Sequence, residues 1–314
     1  MGIILNLLFL IIGMGLLIKG ADFFVSGASS LARKLKVPSM IIGLTIVAIG
    51  TSLPELVVSI TSALKGSPDM SLGNVVGSNM FNTFLILGCV ALMSGVLIKQ
   101  ETRKIDLPVL FIANMLLCIF SLNGLTRFEC FYMFVIFVWY IVILIKNAKQ
   151  NAQVVVAEIE KPLSNTRTIL YLILGVCAVI LGGEFVSTTA TSLAISFGMS
   201  EALVGLTILA MGTSLPELVT SLVALKKGEN DIALGNVIGS NIANILLIIG
   251  LVGTISPIPV SITILTDIVI LLVTTVIFGL MCYKSDKLDK RYGYALIIIY
   301  ICYLAFTIIR NYCF

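Results

Sequence analysis

Residues 43–88, GLTIVAIGTSLPELVVSITSALKGSPDMSLGNVVGSNMFNTFLILG, recur at 205–250 as GLTILAMGTSLPELVTSLVALKKGENDIALGNVIGSNIANILLIIG. The two copies agree at 28 of 46 positions, at a constant offset of 162 and without a gap. The register reaches back to Gly20/Gly182 and Phe23/Phe185. A shared packing scaffold asks only for matching apolar residues. Here Thr51/Thr213, Ser52/Ser214, Glu55/Glu217, Ser78/Ser240 and Asn82/Asn244 match as well. Oxygen-bearing side chains kept at identical spacing inside apolar segments point to one central ion site built from two halves.

The rest of the chain fixes the medium. Apolar stretches of about 20 residues, the length that crosses a bilayer as helix, run from end to end. They cover 3–29, 38–64, 70–97, 106–122, 129–145, 169–195, 201–225, 231–254, 259–282 and 293–310. Charged residues make up 11% of the chain and mean hydropathy is +1.12, against about 25% charged in soluble domains. The expected fold is an all-α integral membrane protein of ten transmembrane helices. The first span has no basic leader or small-residue cleavage site and reads as a mature helix. The seven cysteines show no paired spacing and read as small buried apolar residues. Histidine is absent, which removes the usual imidazole metal ligand and neutral-pH proton shuttle.

Five spans per half make the second copy enter the membrane upside down, as in the inverted repeats of transporters. The division is 1–145, a linker at 146–168, and 169–314. Basic residues alternate with this count. One set of loops carries Arg33, Lys34, Lys36; Lys99, Arg103, Lys104; Lys146, Lys149, Lys161, Arg167; Lys226, Lys227; and Lys284, Lys287, Lys290, Arg291. The other set carries only Lys65 and Arg127. The excess of positive charge on cytoplasmic loops puts the first set, with the 146–168 linker, inside the cell membrane and both termini outside. Topology thus accounts for a pI near 8.6 without a nucleic-acid partner.

The motif Gly50-Thr51-Ser52-Leu53-Pro54-Glu55 carries the chemistry. Pro54 lacks an N–H and crowds the carbonyl four residues back, that of Gly50. Pro216 does the same to Gly212. Broken helices exposing carbonyl oxygens at membrane depth survive only when buried in protein or lining a wet cavity. A carboxylate in the membrane costs at least about 2.5 kcal/mol. Glu55 and Glu217 are kept with no Lys or Arg beside them in their spans, so a bound cation is the expected counter-charge. Thr51 and Ser52 precede Glu55 by four and three positions, so all three are expected to share one helical face. Ser78 and Asn82 share a face of the next span, and Gly73, Gly77 and Gly88 allow close helix approach. A single serine or threonine in a membrane helix ordinarily bonds its own chain four residues back. The full set recurring in both copies is what argues for a site. Carboxylates, hydroxyls, amides and freed carbonyls are hard oxygen ligands that suit Ca²⁺ and Na⁺. Asn79 and Asn241 read as packing or capping residues, Asp22 and Glu184 as interfacial, and Asn74 and Asn236 stay unassigned.

The segments GTSLPELVVS (50–59), GNVVGSNMFN (73–82), GTSLPELVTS (212–221) and GNVIGSNIAN (235–244) resemble the two alpha-repeats of the sodium/calcium exchanger family, within the cation/calcium antiporter superfamily. The chain is similar to prokaryotic, archaeal-type members, because the long cytoplasmic regulatory loop of animal exchangers is missing. The resemblance implies that spans two, three, seven and eight form the site. It implies that Glu55 and Glu217 ligate Ca²⁺ with backbone oxygens of Thr51 and Thr213. It places Na⁺ at neighbouring positions drawing on Ala48, Ser52, Ser78, Ala210, Ser214 and Ser240, with Asn82 and Asn244 lining the centre. Several members carry Asp at one of the last two positions. Asn at both leaves two formal charges here. The expected function is Na⁺/Ca²⁺ antiport by alternating access, with Na⁺, Ca²⁺ and the lipid bilayer as partners, no prosthetic group and no obligate protein partner. The alternatives are a proton-coupled Ca²⁺ exchanger of the same superfamily and, further off, a cation channel. Nothing in the spans pairs residues for enzymatic catalysis.

Overall fold

The computed structural model describes residues 3–151, 162–197 and 210–313. These are almost wholly helical: α1 (Ile3–Leu35), α2 (Ser39–Thr51), α3 (Leu53–Leu64), α4 (Asp69–Ser94), α5 (Thr102–Ser121), α6 (Arg127–Asn151), α7 (Asn165–Ser196), α8 (Leu215–Lys226), α9 (Asn230–Ile255), α10 (Ile262–Lys284) and α11 (Lys290–Cys313). Eight of them are long and apolar enough to cross a membrane, and α2 with α3 makes a ninth if that bent pair is one span. Of the expected span 201–225, residues 201–209 lie outside the described residues.

Burial sorts the helices into an inner and an outer set. The apolar windows of α4 and α9 are 78% buried, whereas those of the other full-length helices are 17–39% buried. The outer helices turn Ile11, Phe128, Trp139, Leu174, Ile262 and Ile298 outward, while Glu55, Glu217, Ser78, Ser240, Asn82 and Asn244 are fully buried. Apolar outside and polar inside is the partition a lipid solvent imposes.

Helices α1 and α7 pack along their length with glycine at the crossing. A Cβ at Gly20 would lie 2.8 Å from Ala178 Cβ and 2.8 Å from Val179 N, neither of which can swing aside. The contact depends on the missing side chain, as small-residue membrane crossings do. Gly20→Leu is therefore expected to cost about 1–3 kcal/mol by overpacking and to lower the unfolding midpoint in detergent. Gly15→Leu, five residues earlier and facing open space, is the control and should leave the midpoint unchanged.

The basic loops gather at one end of the molecule. Arg33 pairs with Glu229 at 3.7 Å, Lys34 Nζ donates to Asn165 at 2.6 Å, and Lys99 pairs with Asp231. Arg103 pairs with Asp286 at 2.7 Å, and the short strands β1 (Val96–Leu97) and β2 (Lys287–Leu288) run antiparallel. Leu125 and Ile258, from the weakly charged loops, bridge to each other separately. Shifted by 162, Val96 becomes Ile258 and Leu125 becomes Lys287, so the two strand contacts are repeat images of one another. The described cysteines are all free. Cys130 and Cys282 are buried, Cys89 and Cys118 partly so, and Cys177 and Cys302 are exposed.

Candidate ion-binding site

The proline motif breaks the second span as its sequence requires. Pro54 sits in the first turn of α3, where a missing N–H is harmless. The chain leaves helical geometry at Ser52 (φ −83°, ψ 7°), and α2 and α3 meet at 45°. Ser214 adopts nearly the same conformation (φ −92°, ψ 6°) ahead of α8. Each break puts a glutamate in the first turn of the following helix, close to that turn's N–H groups, where negative charge is favoured. The Ala48 carbonyl, at a position the resemblance assigns to Na⁺, is engaged: it accepts from Ser52 N at 3.0 Å and from Ser240 Oγ at 3.4 Å.

The expected alliance of Ser52 with Glu55 on one face does not form. Ser52 Oγ donates to Glu217 Oε1 at 2.9 Å, and Ser214 Oγ donates to Glu55 Oε1 at 3.1 Å. The break at each serine rotates its hydroxyl off its own helix face and across to the other repeat. Thr51 and Ser240 stand close enough to Glu217 to bear on its charge, as Thr213 does to Glu55, and the two glutamates sense one another. Of Ala210 only the backbone is described, at the start of the turn Ala210–Gly212.

Behind this crossing lies a second reciprocal layer. Thr51 Oγ1 is 3.0 Å from Asn236 Oδ1, and Thr213 Oγ1 is 3.4 Å from Asn74 Oδ1. The amide nitrogens of these asparagines donate to Ser221 and Ser59 respectively. Asn74 and Asn236, unassigned from sequence, brace the threonines of the opposite copy. The signal available was that Ser59/Ser221 recur at the same offset. Asn79 and Asn241 join the inner helices, as packing residues do: Asn79 Nδ2 donates to the Asn241 carbonyl and Asn241 Nδ2 to Thr83 Oγ1.

Asn82 and Asn244 lie in matching π-helical segments, Phe81–Ile86 within α4 and Ala243–Ile249 within α9. Such widened turns cluster at functional sites. Both side chains are fully buried, but their partners differ. Asn244 Nδ2 donates to Asn79 Oδ1 at 3.0 Å, while neither polar atom of Asn82 has a partner.

Buried polar atoms without partners are rare in folded proteins, and several of those here belong to the repeated residues. Glu55 Oε2, Glu217 Oε2, Ser78 Oγ, both amide atoms of Asn82 and Asn244 Oδ1 are all buried and unpaired. Among the described residues no ion pair reaches either glutamate. Two other acids within the helices have partners: Asp267 a bidentate Arg310 at 2.9 Å, and Asp106 the Tyr140 hydroxyl at 2.9 Å. No cluster of three His, Cys, Asp or Glu occurs among the described residues. A cation between Glu55 and Glu217 must therefore complete its shell with neutral oxygens, which fits Ca²⁺ or Na⁺ and not a soft metal.

The sodium/calcium exchanger protein family matches the chain over residues 5–146 and 167–309, which takes in both halves of this site. The chain belongs to that family. The exchanger is 32% identical over 299 residues to the sodium/calcium exchanger MaX1 of Methanosarcina acetivorans, covering 82% of this chain and 85% of the relative. It is 34% identical over 292 residues to the inner membrane protein YrbG of Escherichia coli, covering 90% of each. Among solved structures it superimposes on the sodium-calcium exchanger NCX_Mj soaked with Na⁺ and Sr²⁺ at a TM-score of 0.86 and 30% identity. That match covers 97% of this chain and 99% of that one. The exchanger is thus a multi-pass membrane antiporter of cations and Ca²⁺, a transporter and not an enzyme.

The crossed hydrogen bonds can be read directly. Ser52→Ala leaves a buried glutamate oxygen unpaired, at about 1–3 kcal/mol. In a double-mutant cycle on thermal stability, Ser52→Ala is expected to couple more strongly to Glu217→Ala, which removes the accepting oxygen, than to Glu55→Ala. Coupling to Glu55 instead would place the hydroxyl on its own repeat.

Proposed function

We propose that the exchanger moves Ca²⁺ against Na⁺ by alternating access, with the two ions competing for one site at the meeting of two inverted halves. The halves are 1–145 and 169–314, of five helices each, joined by the cytoplasmic 146–168 linker, with both termini outside the cell membrane. The expected span 201–225 completes the count of ten. Ca²⁺ lies between Glu55 and Glu217 with backbone oxygens of Thr51 and Thr213. Na⁺ takes neighbouring positions formed with Ala48, Ser52, Ser78, Ala210, Ser214 and Ser240, and Asn82 and Asn244 line the middle.

The observation that carries this reading is the crossed pair of bonds, Ser52 to Glu217 and Ser214 to Glu55, with the remaining carboxylate oxygens buried and unpaired. Reciprocal contacts of this kind mark a twofold relation between like halves. The strand contact at the basic end and its repeat image between Leu125 and Ile258 support opposite orientations. The single crowd of basic loops supports their cytoplasmic placement. The number of hydroxyl ligands, and the likeness to MaX1 and NCX_Mj, both sodium/calcium exchangers, favour Na⁺ as the coupling ion.

The deciding experiment is Ca²⁺ uptake into reconstituted vesicles under an imposed Na⁺ gradient, with a pH gradient of equal size as the second arm. Uptake driven by the Na⁺ gradient alone is expected. Uptake that follows only the pH gradient would replace Na⁺ by protons as the coupling ion.

A further inference from the structure

A cavity of about 330 Å³ lies between α5 and α10, and neither glutamate lines it. That is the lower end of the range for small-molecule pockets. Leu107, Leu110 and Phe111 wall one side, and Val276 and Leu280 the other. Gly279 lines it too, and a Cβ there would meet open space. Both helices belong to the outer set, so the cleft opens on the apolar flank of the bundle.

One end of the cleft is charged. Arg103 lines it with Nε buried and unpaired, while its terminal nitrogen bonds the Ser285 carbonyl and Asp286 Oδ1, each at 2.7 Å. Asp286 is 90% exposed, so that ion pair is weakly held. Tyr283 stands exposed at the same mouth, as aromatic residues do at a membrane interface. Lys104, Lys284, Lys287, Lys290 and Arg291 lie exposed in the adjoining segments, against Glu101, Asp286 and Asp289. The mouth is therefore net positive, and it sits at the basic end of the molecule.

We infer that this cleft holds one acyl chain of an anionic glycerophospholipid, with the headgroup phosphate on Arg103. The guanidinium fork matches phosphate geometry, and its charged partner Asp286 is exposed and weakly held. Basic pockets between membrane helices on the cytoplasmic side select anionic headgroups. The apolar walls supply the chain's contact, and a free phosphate would leave them unused. The charge at the mouth complements an anionic lipid and not a zwitterionic one.

The test is native mass spectrometry of the intact exchanger, purified in detergent and incubated with phosphatidylglycerol or phosphatidylcholine. One phosphatidylglycerol per chain is expected to stay bound, with at least about tenfold less phosphatidylcholine. Gly279→Phe fills the cleft and should lose the lipid while keeping the parent's elution volume and unfolding midpoint. Arg103→Gln should retain a lipid but lose the preference for phosphatidylglycerol. Undiminished phosphatidylglycerol on Gly279→Phe, no preference in the parent chain, or a lipid-free dimer would each overturn the assignment. The readout is binding and not flux, so it is decided independently of the coupling ion.

Discussion

Glu55→Gln and Glu217→Gln are each expected to abolish Ca²⁺ transport while leaving the chain folded. Glutamine keeps an oxygen to accept from Ser214 or Ser52, so the crossed hydrogen bonds can persist. What is lost is one of two unit charges facing a divalent ion with no basic side chain nearby. At roughly 4 Å and an effective dielectric of about 20, two unit charges attract by about 4 kcal/mol and a unit charge facing a divalent ion by about twice that, well beyond a thousandfold in affinity. Both glutamates are fully buried, so solvent does little to mask the change. Na⁺-driven ⁴⁵Ca²⁺ uptake by each variant is the measurement, with gel filtration and unfolding midpoint as checks on folding. A near-normal rate in either one removes the shared-carboxylate site.

Exchange is further expected to carry net charge. Two carboxylates neutralise one Ca²⁺. If three Na⁺ replace it, the site loaded with Na⁺ holds one positive charge more. A membrane potential acts on that charge with about 2.3 kcal/mol per 100 mV, so clamping 100 mV across the vesicle should shift the equilibrium Ca²⁺ ratio about fiftyfold. The check is the Ca²⁺ ratio reached at fixed Na⁺ gradient with potassium and valinomycin setting the potential. A ratio indifferent to the potential means two Na⁺ per Ca²⁺.

The parts of this molecule readable from its sequence are those dictated by local chemistry. Pro54 has no N–H to give, so the helix must break near it, and it does so at Ser52. Glu55 in an apolar segment without a basic neighbour had to be buried in a polar centre. Positive residues in alternate loops had to lie at a common end, and their hydrogen bonds and strand pairing bring them there. The parts that stayed hidden depend on the juxtaposition of residues some 160 apart. Ser52 is three positions from Glu55 along the chain, which favours that partner only in an unbroken helix. The break that the proline enforces hands the hydroxyl to Glu217 instead. The π-helical turns at Asn82 and Asn244 left no mark in residue spacing, because one extra residue per turn alters the face presented without altering composition. Asn82 and Asn244 also show that a repeat in sequence need not be a repeat in bonding. Asn244 is tied to Asn79, and Asn82 is left without a partner. Thr83, which receives Asn241, has Ile245 as its counterpart and so carried no repeat signal.

The crossing of the two serine–glutamate bonds has a mechanical corollary. Each bond joins the first half of the chain to the second, and the two run in opposite senses between the chain breaks at Ser52 and Ser214. Sliding α8 against the α2–α3 break therefore strains both bonds at once. In the proposed site, a cation between the glutamates would not be loosened on one side while its cage on the other stayed intact. The cage would act as a toggle with two ends on one lever. Such rigidity would oppose a half-emptied state, through which an ion could leak down its gradient without its counterpart being carried back.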